Sequence, residues 1–107
     1  MKTIDKHLDK LKKLCEKYYV AELYLFGSLA RGEISKESDI DFLVRFSGVN
    51  PVDYFDNYMD FKESLEKLFS RNIDLVEMQT IKNPVLKKSI NRNKIKLYGR
   101  EDSKMAV

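Results

Sequence analysis

The stretch Leu23–Val44 reads LYLFGSLARGEISKESDIDFLV. Leu23 to Phe26 is an apolar run of strand character, broken at Gly27-Ser28. Ten residues later a second apolar run opens on Asp39-Ile40-Asp41. Residues two apart in a strand share a face, with about 6.6 Å between their Cα atoms. Asp39 and Asp41 are therefore expected to aim their carboxylates to one side, and Ile40, Phe42, Val44 and Phe46 to the other. Asp is depleted in strands, so a pair of them leading a Val/Leu/Phe run asks for a reason beyond strand formation.

Two carboxylates this close repel, and both stay ionised when a cation sits between them. Oxygen donors select a hard ion, Mg²⁺ or Mn²⁺. Such ions clamp a nucleotide's phosphates and an attacking oxygen. Gly27-Ser28 ends a strand and opens a turn, whose free backbone N–H groups suit phosphate. Gly27 lets a ligand approach the backbone, and Ser28 adds a hydroxyl. Taken singly, Asp-x-Asp and Gly-Ser are more often a strand end and a turn. A third acid shifts that balance. Asn72-Ile73-Asp74-Leu75-Val76-Glu77 is another short apolar run with an Asp inside it. If its strand lies beside the Asp39–Phe46 strand, Asp74 completes a three-carboxylate site.

Gly27-Ser28, ten residues, then Asp39-Ile40-Asp41, with Ala30-Arg31-Gly32 inside and Ser38 before the first Asp, resembles the minimal nucleotidyltransferases. These are small members of the DNA polymerase beta-like superfamily. The resemblance runs from about Leu11 to Tyr98, and in the family the third carboxylate lies in a later strand, where Asp74 stands. It implies an α/β fold, a small mixed sheet of four strands flanked by helices. It implies transfer of AMP from ATP to a hydroxyl, with release of pyrophosphate. Asp39, Asp41 and Asp74 would then hold Mg²⁺ or Mn²⁺, with Asp74 also taking the acceptor's proton. Gly27 and Ser28 would hold the β- and γ-phosphates, and Arg31 would be a further phosphate contact. Leu29 departs from the family, which often has a basic or polar residue there. Minimal members often accompany a HEPN-domain toxin, and some are antitoxins that adenylylate a tyrosine of it. Two other readings stay open: a small-molecule transferase of the aminoglycoside-modifying type, and a non-catalytic antitoxin that binds its toxin. A pure binder has no need of three mutually repelling acids.

The remaining sequence frames this stretch. At 107 residues, 43% hydrophobic and 35% charged, residues 1–107 are read as one minimal domain, with 99–107 a frayed tail. No run approaches the roughly 18 apolar residues of a membrane span, and the N-terminus has no apolar signal core, so a cytoplasmic protein is expected. The single Cys15 excludes an internal disulfide and is expected to be buried. No Cys/His spacing suits zinc.

A helix is expected over Thr3–Tyr19, capped by Thr3, with Asp5 at its positive end. Ile4, Leu8, Leu11, Cys15 and Tyr18 would face inward, and Lys6, Lys10, Lys13 and Lys17 form a solvated face. Asn50-Pro51 signals a second helix, reaching about Ser70 and burying Phe55, Tyr58, Met59, Phe61, Leu65, Leu68 and Phe69. A strand, a helix of this length and a strand make a crossover, so the Asp39 and Asp74 strands are expected to be parallel neighbours. Asn83-Pro84 starts a third helix, a short one carrying Val85, Leu86 and Ile90 and ending near Asn91–Asn93. Residues 94–98 alternate as a last strand, with Ile95 and Leu97 inward. The net charge is +3, and the end from Lys82 onward is basic. That basic end could meet the triphosphate, an acidic partner or RNA; a solvated basic surface is the commoner case than specific nucleic-acid binding, for which no motif is visible. Homo-oligomer and hetero-complex both remain open.

Overall fold

A computed structural model describes residues 6–27 and 39–99. In chain order they form helix α1 (Leu8–Lys17), strand β1 (Val20–Phe26), strand β2 (Ile40–Phe46), a 3₁₀ turn (Pro51–Asp53), helix α2 (Tyr54–Phe69), strand β3 (Ile73–Glu77), a second 3₁₀ turn (Met78–Thr80), helix α3 (Pro84–Asn93) and strand β4 (Ile95–Tyr98). The sheet is mixed and four-stranded, in the order β3-β2-β1-β4. β2 and β3 are parallel, as the crossover through α2 requires. β1 is antiparallel to both β2 and β4. The expected small mixed sheet with flanking helices is what forms.

Alternation along the strands sorts the two faces. Ile40, Phe42, Val44 and Phe46 of β2 are buried, with Leu23, Leu25, Ile73 and Leu75, against Leu11 and Cys15 of α1 and Phe61, Leu65 and Phe69 of α2. The opposite face carries a smaller cluster, in which Tyr24 and Leu43 meet Ile90 of α3. Phe26, Val76, Met78 and Ile81 pack around it. Phe61 is wholly buried and lies within ring contact of Phe46 and Tyr18. Phe61→Ala is expected to destabilise the fold by about 3–5 kcal/mol, read from a chemical denaturation midpoint.

Both cap-then-proline starts form. Asn50 Oδ1 accepts from the Val52 N–H at 3.1 Å, and Asn83 Oδ1 accepts from the Val85 N–H at 2.9 Å. Asn50-Pro51 opens a 3₁₀ turn first, and α2 follows it. α2 ends at Ser70 in the left-handed region, φ 52°.

Two expectations are corrected, for Phe55 and for the start of β1. Phe55 is 70% exposed, and Tyr54 takes its inward place, edge-on to Phe46. The inward stripe of α2 runs 54, 58, 61, 65, 69, and Phe55 falls one step round the helix from it. Val85 is 78% exposed, leaving Ile90 as the buried anchor of α3. β1 begins at Val20 rather than Leu23. Glu22 falls inside β1, where its charge meets Arg45 on β2. Thr3, Ile4 and Asp5, the Leu86 side chain and the tail 100–107 lie outside the described residues. Among the described residues, no helix is long and apolar enough to cross a membrane.

Candidate active site

The two ends of the opening stretch meet because β1 and β2 are antiparallel neighbours. Phe26, the last residue of β1, pairs with Asp41. Gly27 follows at φ 76°, in the left-handed region where a side chain is strained. A Cβ built on Gly27 would lie 2.1 Å from Asp41 Oδ2 and 3.0 Å from its Cγ. The Asp41 carboxylate is therefore seated directly against the Gly27 backbone. Gly27 has two jobs that no other residue can do: it takes the positive φ and it leaves room for that carboxylate.

Asp74 is the register partner of Asp41 across β2 and β3. Adjacent strands stand about 4.8 Å apart, and paired residues point to the same face. Asp41 is half-buried and Asp74 exposed on the edge strand. Asp39 stands one residue before β2 and is exposed. The Ile40 N–H donates to the Asn72 carbonyl at 3.1 Å, which ties the start of β2 to the approach of β3. The acids thus gather at one end of the sheet, on the α3 side, beyond the rim of the Tyr24–Leu43–Ile90 cluster. Among the described residues, no three acidic, His or Cys side chains are yet close enough to hold an ion. Ser28 and Arg31 lie outside the described residues.

Asp74 is felt by its surroundings. The Tyr58 hydroxyl donates to the Leu75 carbonyl. Burial raises the Tyr58 phenol above its ordinary value, and the Asp74 charge adds to this against an opposing Lys62.

Sequence reading missed a polar ladder on the same face, at the other end of the sheet. Glu22 accepts from the Tyr24 hydroxyl at 2.6 Å and from Arg45 Nε at 2.6 Å. Lys94 Nζ stands 4.1 Å from the centre of the Tyr24 ring. The visible signal was one acid in β1 and one base in β2, interrupting otherwise apolar runs. A cavity of about 590 Å³ opens there, lined in part by Glu22, Arg45 and Ser47. It is remote from Asp41 by the length of the strands. The Tyr24 hydroxyl bond holds the Glu22 carboxyl below its ordinary value, partly offset by desolvation and reinforced by Arg45. A depressed carboxyl stabilises the fold above its unfolded value, and that contribution is lost as pH falls through the folded one. Glu22→Gln is therefore expected to flatten the acid limb of a melting-temperature profile, with the two proteins converging at the lowest pH. Parallel profiles would show that the ladder does not couple folding to this proton.

Comparison with known proteins follows the same outline. The profile of the nucleotidyltransferase domain family matches residues 8–97. A Methanocaldococcus jannaschii chain with the provisional name protein adenylyltransferase is 41% identical over 99 residues, covering 89% of this chain and 98% of that one. The protein adenylyltransferase MntA of Thermococcus cleftensis is 36% identical over 76 residues, covering 71% of this chain and 74% of its own. In a solved complex of a tri-AMPylated Shewanella oneidensis HEPN toxin with an MNT antitoxin, one chain superposes with a TM-score of 0.63. It is 19% identical, with 95% of this chain and 77% of that chain covered, a likeness of fold.

Proposed function

The chain belongs to the nucleotidyltransferase domain family, and on that premise we propose that it adenylylates a partner protein. The donor is ATP, the acceptor a tyrosine hydroxyl of a HEPN-domain toxin, and the setting the cytoplasm. The observation that carries this reading is the placement of Asp41, seated on Gly27 and in register with Asp74.

Asp39, Asp41 and Asp74 are the residues that would hold Mg²⁺ or Mn²⁺. Their donors are hard carboxylate oxygens at one end of one sheet, which suits such an ion in kind and in place. The β2–β3 pairing holds the backbone of Asp41 and Asp74 in register. A bound divalent ion supplies charge neutralisation along the triphosphate. The backbone at Gly27, continuing into Ser28, receives the β- and γ-phosphates, and Arg31 is a further phosphate contact. Asp74, exposed on the edge strand, is where an incoming hydroxyl finds a base. The acceptor oxygen attacks the α-phosphorus and forms the new P–O bond. The bond to the bridging oxygen breaks, pyrophosphate leaves, and the acceptor's proton passes to Asp74. Positioning and charge stabilisation carry most of the rate in such transfers.

The test is incubation of the purified chain, its HEPN-domain partner, ATP and Mg²⁺, followed by intact mass measurement of the partner. The expected result is a gain of one AMP per modified tyrosine, abolished by a chelator. A partner silenced with unchanged mass would establish binding alone as the antitoxin activity. Labelling of a small hydroxylated compound in place of the partner would establish the aminoglycoside-type reaction.

A further inference from the structure

A groove lies on the helical side of the molecule, across the sheet from Asp41 and Asp74. It runs between α1 and α2 with a volume of about 530 Å³. Lys10, Lys13 and Leu14 line it from α1, and Ser64, Lys67 and Leu68 from α2. Among the described residues, the lining holds three lysines and no carboxylate. All three lysines are exposed, and none forms an ion pair among the described residues. Leu14 and Leu68 are half-buried: the core takes one side of each, and the groove receives the other. The His7 ring, at one end, stands edge-on to Phe69 with centroids 5.3 Å apart.

We infer that this groove docks an acidic amphipathic helix of a partner protein. Two helices side by side make a trough of helix width, and an apolar floor receives one edge of an incoming helix. The unpaired lysine rim selects carboxylates on either side of that edge. A nucleic acid would meet apolar floor where it needs stacking surfaces, because the ring at the groove is already engaged with Phe69. The inference goes beyond the catalytic reading. The groove and the acids lie on opposite faces of the sheet, so an occupant here leaves the acceptor's approach to Asp74 open.

The experiment uses the full chain and three labelled probes: a helical peptide of Leu/Glu heptads, the same peptide with every Glu replaced by Lys, and oligo-uridylate. Fluorescence anisotropy is expected to show binding of the acidic peptide, weakened by added salt. Lys10→Glu, Lys13→Glu and Lys67→Glu together are expected to weaken it roughly tenfold or more. Melting temperature and ATP affinity of that variant should match the parent, since these lysines are exposed and remote from Asp41. Amide shifts on peptide addition should centre on Leu14, Ser64 and Leu68. The inference is overturned if charge reversal leaves acidic-peptide affinity unchanged, if the Lys peptide binds as well, or if oligo-uridylate competes for the groove with equal affinity.

Discussion

Asp41→Asn is expected to lower the AMP-transfer rate by at least two to three orders of magnitude, with the fold intact. The substitution keeps shape and a carbonyl oxygen but removes the negative charge on the atom seated against Gly27. Asp41 sits at the centre of the arrangement, in register with Phe26 on one side and Asp74 on the other. Asp39→Asn should act in the same direction. Asp74→Asn should separate binding from chemistry: ATP affinity falls less than the transfer rate, because the edge-strand base is gone. The measurements are single-turnover transfer, nucleotide titration and circular dichroism. Full transfer by the Asp41→Asn protein would remove this end of the sheet from the mechanism.

Gly27→Ala should be nearly as damaging, although glycine contributes no functional group. The new methyl cannot coexist with Asp41 Oδ2 at 2.1 Å, so the carboxylate must leave its seat or the turn must open. A left-handed φ adds strain of about 1–2 kcal/mol for a residue with a side chain. Gly48 supplies the control. It has a similar φ of 83°, but a Cβ there meets nothing within 4 Å. Gly48→Ala is expected to cost about 1 kcal/mol of stability and leave transfer unchanged. Gly27→Ala is expected to lose comparable or greater stability and, in addition, most of the transfer. If both variants keep full activity, the contact between Gly27 and Asp41 has no part in catalysis. If both lose it equally, the loss reports general destabilisation.

The same contrast shows where local sequence stops being informative. The inward faces of β2 and α1 follow from spacing alone, and Leu11, Cys15, Ile40, Phe42, Val44 and Phe46 are all buried as the pattern expects. The helix starts at Asn50 and Asn83 are equally local, since a cap uses a side chain and an N–H two residues on. Phe55 and the start of β1 went the other way. Whether Tyr54 or Phe55 turns inward depends on where Phe46 stands, and a charge inside β1 is tolerable only because Arg45 lies across from it.

Sequence by itself determined that Asp39, Asp41 and Asp74 head or occupy short strands after a Gly-Ser break, and that β2 and β3 run parallel. Those properties rest on two-residue alternation and on the reach of one crossover helix, both carried by neighbouring residues. Only tertiary structure decided that the Asp41 carboxylate sits on Gly27, that Asp74 stands opposite it, that β4 closes the sheet beside β1, and that α1 and α2 leave a lysine-rimmed groove. Register and helix docking are set by the whole core settling at once, and a shift of one residue would turn every one of these side chains to the other face.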